Sequence, residues 1–148
     1  MAQNNEQVPY CLPYPASYLK EDFSERWEHG RKVFVRIAPS KGSKGKPSRM
    51  EFSGSCGPRS LGELYDDDRK NIIAESGSEK AMTMSVLRKD SYVLSWRKDD
   101  RIHYGKMWIA KNDPGCFVRA IFDYDVSERE AFDAIIPKVV AADPACPQ

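Results

Sequence analysis

The stretch from Lys80 to Asp125 constrains the fold most. It reads KAMTMSVL, RKD, SYVLSW, RKDD, RIHYGKMWIA, KNDPG, CFVRAIFDYD: four apolar runs of strand length, each closed by a charged or Gly/Pro turn. In the third run Ile102, Tyr104, Lys106 and Trp108 alternate with His103, Gly105, Met107 and Ile109, the two-residue period of an extended strand. Parallel neighbours need a crossover of a dozen or more residues, and these turns are too short for one. The runs therefore predict a four-stranded antiparallel meander.

Upstream, RKVFVRIAP alternates Val33, Val35 and Ile37 against Phe34, Arg36 and Ala38, and MEFSGSC resumes an extended pattern after SKGSKGKPSR. Together they predict a hairpin with a long tip, in the same sheet as the meander. Two segments predict helices. In GPRSLGELYDDDRKNIIAESG, Ser60 and Glu63 form a capping-box pattern ahead of the stripe Leu61, Leu64, Tyr65, Ile72, Ile73. In SEREAFDAIIPKVVAA, Ser127 and Glu130 repeat that pattern ahead of Phe132, Ile135, Ile136, Val139 and Val140. Pro137 is expected to kink or split this second helix, because it removes a donor and crowds the preceding turn. VPYCLPYPASYL holds three prolines and suits an extended edge, not a central strand. KEDFSERWEHG reads as a short helical turn or loop with Phe23 and Trp27 as its buried pair, and His29 lies at its terminus before Gly30. The expected architecture is α+β: a twisted antiparallel sheet, hairpin plus four-stranded meander, whose apolar side is covered by two main helices. It forms a single domain over 1–148 with loose ends at 1–7 and 143–148.

At 148 residues the chain is long enough for one core. Its formal net charge of +1 offers no bulk basic field, so neither nucleic acid nor an anionic membrane is an expected partner. No run approaches the roughly eighteen apolar residues of a membrane span, and MAQNNEQ has neither the basic nor the apolar region of a leader. Lys41, Lys44, Lys46 and Arg49 crowd the hairpin tip, but a phosphate-cradling loop feeds a helix, this one feeds a strand, and no aromatic is interleaved to stack a base. Asp66, Asp67 and Asp68 fan out by about 100° each on a helix and cannot converge on one ion. No cysteine pair has metal-ligand spacing, and His29 and His103 are far apart, so no metal is expected. Ser53, Ser55 and Cys56 lie outside any G-x-S-x-G elbow, and no dinucleotide fingerprint occurs. No catalytic residue and no cofactor is assigned.

The candidate binding patch is Trp96, Tyr104, Lys106 and Trp108. These share one face if the KDD turn sets the corresponding register, bringing a lysine among aromatic rings. Trp and Tyr dominate binding hot spots. The alternative is that the rings are core beneath the C-terminal helix, with Lys106 snorkelling at the rim.

Ser95-Trp96, Tyr104-Gly105-Lys106, Tyr124-Asp125 and Asp133-Ala134-Ile135-Ile136, with PYPASYL and SLGELY upstream, resemble the landmarks of small exported bacterial proteins of unknown function. Those proteins are similar in layout to the PsbP and Mog-type Ran-binding fold. Trp96, Asp125 and Ala134 depart from the glycine and prolines at those landmarks. The resemblance implies a binding role without catalysis, in the periplasm or secreted, with a leader removed and Ala2 near the mature start. An oxidising compartment suits disulfides among Cys11, Cys56, Cys116 and Cys146; four reduced, buried thiols are the alternative. Of three pairings, Cys11–Cys146 with Cys56–Cys116 is the expected one. A protein partner in the envelope, as subunit, inhibitor or immunity protein, is the first functional expectation. The second is a small hydrolase using carboxylates or a histidine. The third is a carrier of a small apolar ligand held between sheet and helix.

Overall fold

The computed structural model describes residues 14–22, 32–37, 46–110 and 113–141. Its strands are β1 (Leu19–Glu21), β2 (Lys32–Arg36), β3 (Arg49–Cys56), β4 (Met82–Leu87), β5 (Ser91–Lys98), β6 (Arg101–Ala110) and β7 (Asp113–Asp125). Helix α1 spans Leu61–Ser76 and α2 spans Arg129–Val140. The strands make one sheet in the order β1-β2-β3-β7-β6-β5-β4, antiparallel throughout. The meander is present, and the hairpin joins it through β3 and β7, with Met50 opposite Phe122. The sheet has seven strands, one more than expected. The extra one, β1, is an edge strand that starts four residues after Pro15, once the chain again has a donor at every residue. Phe23, Trp27, His29, Lys41 and Lys44 lie outside the described residues.

Register assigns the two faces. Phe34, Met50, Phe122 and Tyr104 form one row across β2, β3, β7 and β6, with Phe52 and Ala120 in a neighbouring row. Phe132, Ile136 and Val139 of α2 pack onto this side. Phe132 is fully buried, stacked on Tyr124 at 4.5 Å and edge-on to Tyr18 and Phe122. The opposite face presents Tyr92, Leu94, Met107 and Phe117 to Leu61 and Ile72 of α1. The helices thus cover opposite faces in three layers, which corrects the expectation of one shielded side. The reason is visible in β6, where both alternating sets are largely apolar: Ile102, Tyr104 and Trp108 on one side, Met107 and Ile109 on the other.

The first capping box forms. Ser60 Oγ accepts from Glu63 N at 3.2 Å, and Glu63 Oε1 accepts from Ser60 N at 2.9 Å. Gly77 then ends α1 with φ 83°, donating its N–H to Ile73 O. The second box does not form. Ser127 lies inside a 3₁₀ turn over Val126–Glu128, and its amide donates to Asp125 Oδ2 at 2.9 Å. An ionised carboxylate is a stronger acceptor than a hydroxyl, so Asp125 takes the capping role two residues earlier. Pro137 does not split α2, which continues to Val140. Both Pro137 and Asp133, whose carbonyl loses its intrahelical donor, are exposed, so water can serve that carbonyl.

Cys56 and Cys116 face each other across β3 and β7 and are joined by a disulfide, as expected. Cys11 and Cys146 lie outside the described residues. At the far edge of the sheet, β4 carries no charge and no proline between Met82 and Leu87, and Met84 and Leu87 are exposed there. Among the described residues, no helix is long and apolar enough to cross a membrane.

Candidate functional site

Helix α2 packs over β7, and the sheet extends past it on the same side through β6, β5 and β4. The step between helix and uncovered sheet forms a groove of about 550 Å³. Its floor is Ile102 and Tyr104 of β6, Ser95 of β5, Tyr124 of β7 and Met84 of β4, and its wall is Ile136, Pro137 and Val140 of α2. The floor's small hydroxyls are satisfied internally: Ser95 Oγ donates to His103 O at 3.0 Å and accepts from Thr83 Oγ1 at 3.1 Å. The tyrosines differ. Neither the Tyr104 nor the Tyr124 hydroxyl has a hydrogen-bond partner among the described residues. Burial raises both pKa values above the ordinary 10.0, and Asp133 helps push Tyr124 up to about 12. Both therefore stand as neutral O–H donors at physiological pH. Among the described residues, three charged ones line the groove: Arg97, Arg129 and Asp133. Arg129 Nε is 3.8 Å from Asp133 Oδ2, with both side chains 62% exposed, a pairing worth little.

The four-residue aromatic patch expected from sequence is not assembled. The β5–β6 turn has two residues, Asp99 and Asp100, with Asp99 at φ 54°, so Lys98 pairs with Arg101. That register sets Ser95 opposite Tyr104 and Trp96 opposite His103. Trp96 therefore projects from the other face, because in a period-two structure a one-residue change in loop length exchanges sides. Tyr104, Lys106 and Trp108 do share a face, and both rings pack against the core under α2. Lys106 Nζ lies 4.9 Å from the centre of the Trp108 ring and donates to Val140 O at 3.1 Å, capping the last turn of α2. For these three residues the geometry is that of core rings with a lysine at their rim.

His103 belongs to the opposite face, in the row Arg49, Asp123, His103, Trp96. Trp96 stacks on its ring at 4.7 Å. His103 Nδ1 is 3.6 Å from Asp123 Oδ1, too far for a hydrogen bond, while Arg101 Nε donates to the same oxygen at 3.0 Å. The acid is oriented by the arginine, not aligned to activate the imidazole. Burial lowers the His103 pKa below 6.5 against the opposing pull of Asp123. A depressed histidine leaves the unfolded chain holding more protons below that ordinary value, so stability is lost as pH falls through the window beneath about 6.5. In His103→Gln the drop in Tm between about pH 7.5 and pH 5.5 is expected to be smaller than in the parent. An equal drop would show that His103 is not the group responsible.

A separate cluster holds the start of α2. Glu128 accepts from Tyr18 Oη, from Arg36 Nε at 2.6 Å and from Ser48 Oγ at 2.7 Å, and the Arg36 guanidinium lies 3.8 Å from the centre of the Tyr18 ring. Burial and the bond to Glu128 push the Tyr18 hydroxyl up to about 12. These partners are 80 or more residues away in the chain, and no sequence signal joins them. The aspartate run fans out as expected, with Asp67 paired to Arg59 and Asp68 accepting from Tyr92 and Arg119. Among the described residues, Cys56, Asp113 and Cys116 are close enough to suggest a metal site, but both sulfurs are committed to the disulfide. Tyr124 and Ile136 are groove residues that sequence reasoning did not single out as a site.

No family model matches this chain, and no curated protein matches it.

Proposed function

We propose that this chain is a non-catalytic binding protein of an oxidising, extracytoplasmic compartment. It takes a small, largely apolar ligand in the groove between the sheet and α2. The observation that carries this is the groove itself: an apolar floor and wall into which the half-buried Tyr104 and the buried Tyr124 bring hydroxyls with no partner among the described residues. Its volume of about 550 Å³ suits a small organic molecule. The absence of catalysis is supported by the placement of His103 on the other face, its imidazole beyond bonding distance of Asp123. The compartment is supported by the Cys56–Cys116 disulfide and by the resemblance to exported proteins. A PsbP- or Mog-like ancestry is part of the same proposal and rests on that resemblance alone.

The test is titration with N-phenylnaphthylamine, a neutral dye whose emission rises in apolar surroundings. The parent is expected to bind it saturably. Val140→Trp fills the groove from the helix side and Met84→Trp from the sheet edge. Each is expected to weaken dye binding by about tenfold or more with little change in Tm. Undiminished binding by both folded variants would place the dye elsewhere and overturn the assignment of the groove.

A further inference from the structure

The groove has two chemically different ends. Arg97, Ile102 and Tyr124 form one row across β5, β6 and β7, and their side chains all line the groove. Arg129 and Asp133, one turn apart in the first half of α2, stand over the Tyr124 end of this row, where both affect that hydroxyl. Toward the C-terminal end of α2 the wall becomes Ile136, Pro137 and Val140. One end therefore gathers two guanidinium groups, a carboxylate and a phenolic donor, and the rest of the lining is hydrocarbon apart from the Tyr104 hydroxyl and the internally bonded Ser95 and Thr83.

The charges at the polar end do not cancel. Arg129 is held to Asp133 only by a solvent-exposed 3.8 Å approach. Arg97 commits its Nε to Asp99 O at 3.1 Å, and its terminal nitrogens have no partner among the described residues. The next cation on this face, Lys106, is already engaged by Val140 O and does not line the groove. Among the described residues lining the groove the surplus is thus one positive charge, carried by side chains suited to forked recognition of an oxyanion.

Resting on the groove as the binding site, we propose that its ligand is an amphipathic anion: an apolar body ending in a carboxylate or a like oxyanion. The head lies between Arg97 and Arg129, with the Tyr124 hydroxyl as a third donor. The body lies along Ile102 and Tyr104 against Ile136, Pro137 and Val140.

Calorimetric titration below micelle-forming concentration, with three probes of one chain length, tests this: decanoate, decanol and decyltrimethylammonium. Decanoate is expected to bind about tenfold or more tightly than either of the others. Arg97→Gln combined with Arg129→Gln should erase that preference while decanol binding is retained, and Val140→Trp should weaken all three. If decanoate and decanol bind alike and the double substitution changes neither, the anion inference falls and the groove stands. A preference for the ammonium probe would also overturn it, by making Asp133 the dominant charge. If no probe binds, or if binding survives both Val140→Trp and Met84→Trp, the groove itself is not the site. Circular dichroism and Tm of each variant separate these results from loss of fold.

Discussion

Replacing Cys56 and Cys116 together by serine is expected to lower the unfolding free energy by about 4 kcal/mol, the entropic estimate for releasing a loop of this length. The two cysteines are 60 residues apart, and the segment between them contains α1 and β4 to β6. The bridge also sits at a topological seam. In the order β1-β2-β3-β7-β6-β5-β4, the hairpin side of the sheet meets the meander only along β3 and β7. Cys56 and Cys116 are directly opposed at one end of that seam, with Gly57 N donating to Gly115 O just beyond them. Guanidinium unfolding of parent and double variant measures the difference. A loss under about 1 kcal/mol would mean that the unfolded chain is already restrained in this region or that the bridge strains the native sheet.

The second large effect is expected at Phe132. Truncation to alanine should cost about 3–5 kcal/mol, because the deleted ring is fully enclosed and its neighbours are too well fixed to close the gap. Tyr124 lies parallel to it, Phe122 and Tyr18 meet it edge-on, and Tyr18 is tied in turn to Glu128. The same ring anchors α2 to β7, and α2 supplies one wall of the groove. Phe132→Ala should therefore also weaken binding of the neutral dye. Denaturant unfolding checks the stability loss. A cost near 1 kcal/mol would indicate that α2 can settle onto the sheet without this contact.

Much of the architecture could be read from local patterns. Period-two alternation and the turn clusters located β2 through β7, and the Ser60–Glu63 box located the start of α1. Each of those signals is confined to a few adjacent residues. The features that escaped depend on competition or on distance. Ser127 and Asp125 both offer oxygen to the same turn, and only the relative strength of the acceptors decides between them. Strand β1 is three residues long, too short to show a period. Trp96 was misplaced because a two-residue and a three-residue turn at Lys98 to Arg101 put it on opposite faces, and the letters KDD permit either. The groove was the least legible feature. It exists because α2 covers β7 and leaves the outer strands of that face open, a consequence of the register between segments far apart in the chain.

The most direct measurement is a two-dimensional ¹⁵N–¹H NMR titration with N-phenylnaphthylamine, which probes occupancy without assuming the ligand's charge. Binding in the groove is expected to shift the amides of Met84, Arg129, Ile136 and Val140, while those of Leu61, Leu64 and Ile72 in α1, on the other face, stay in place. Shifts centred on Trp96, His103 and Asp123, with Ile136 and Val140 unmoved, would put the ligand on the opposite face beside the imidazole and contradict the assignment.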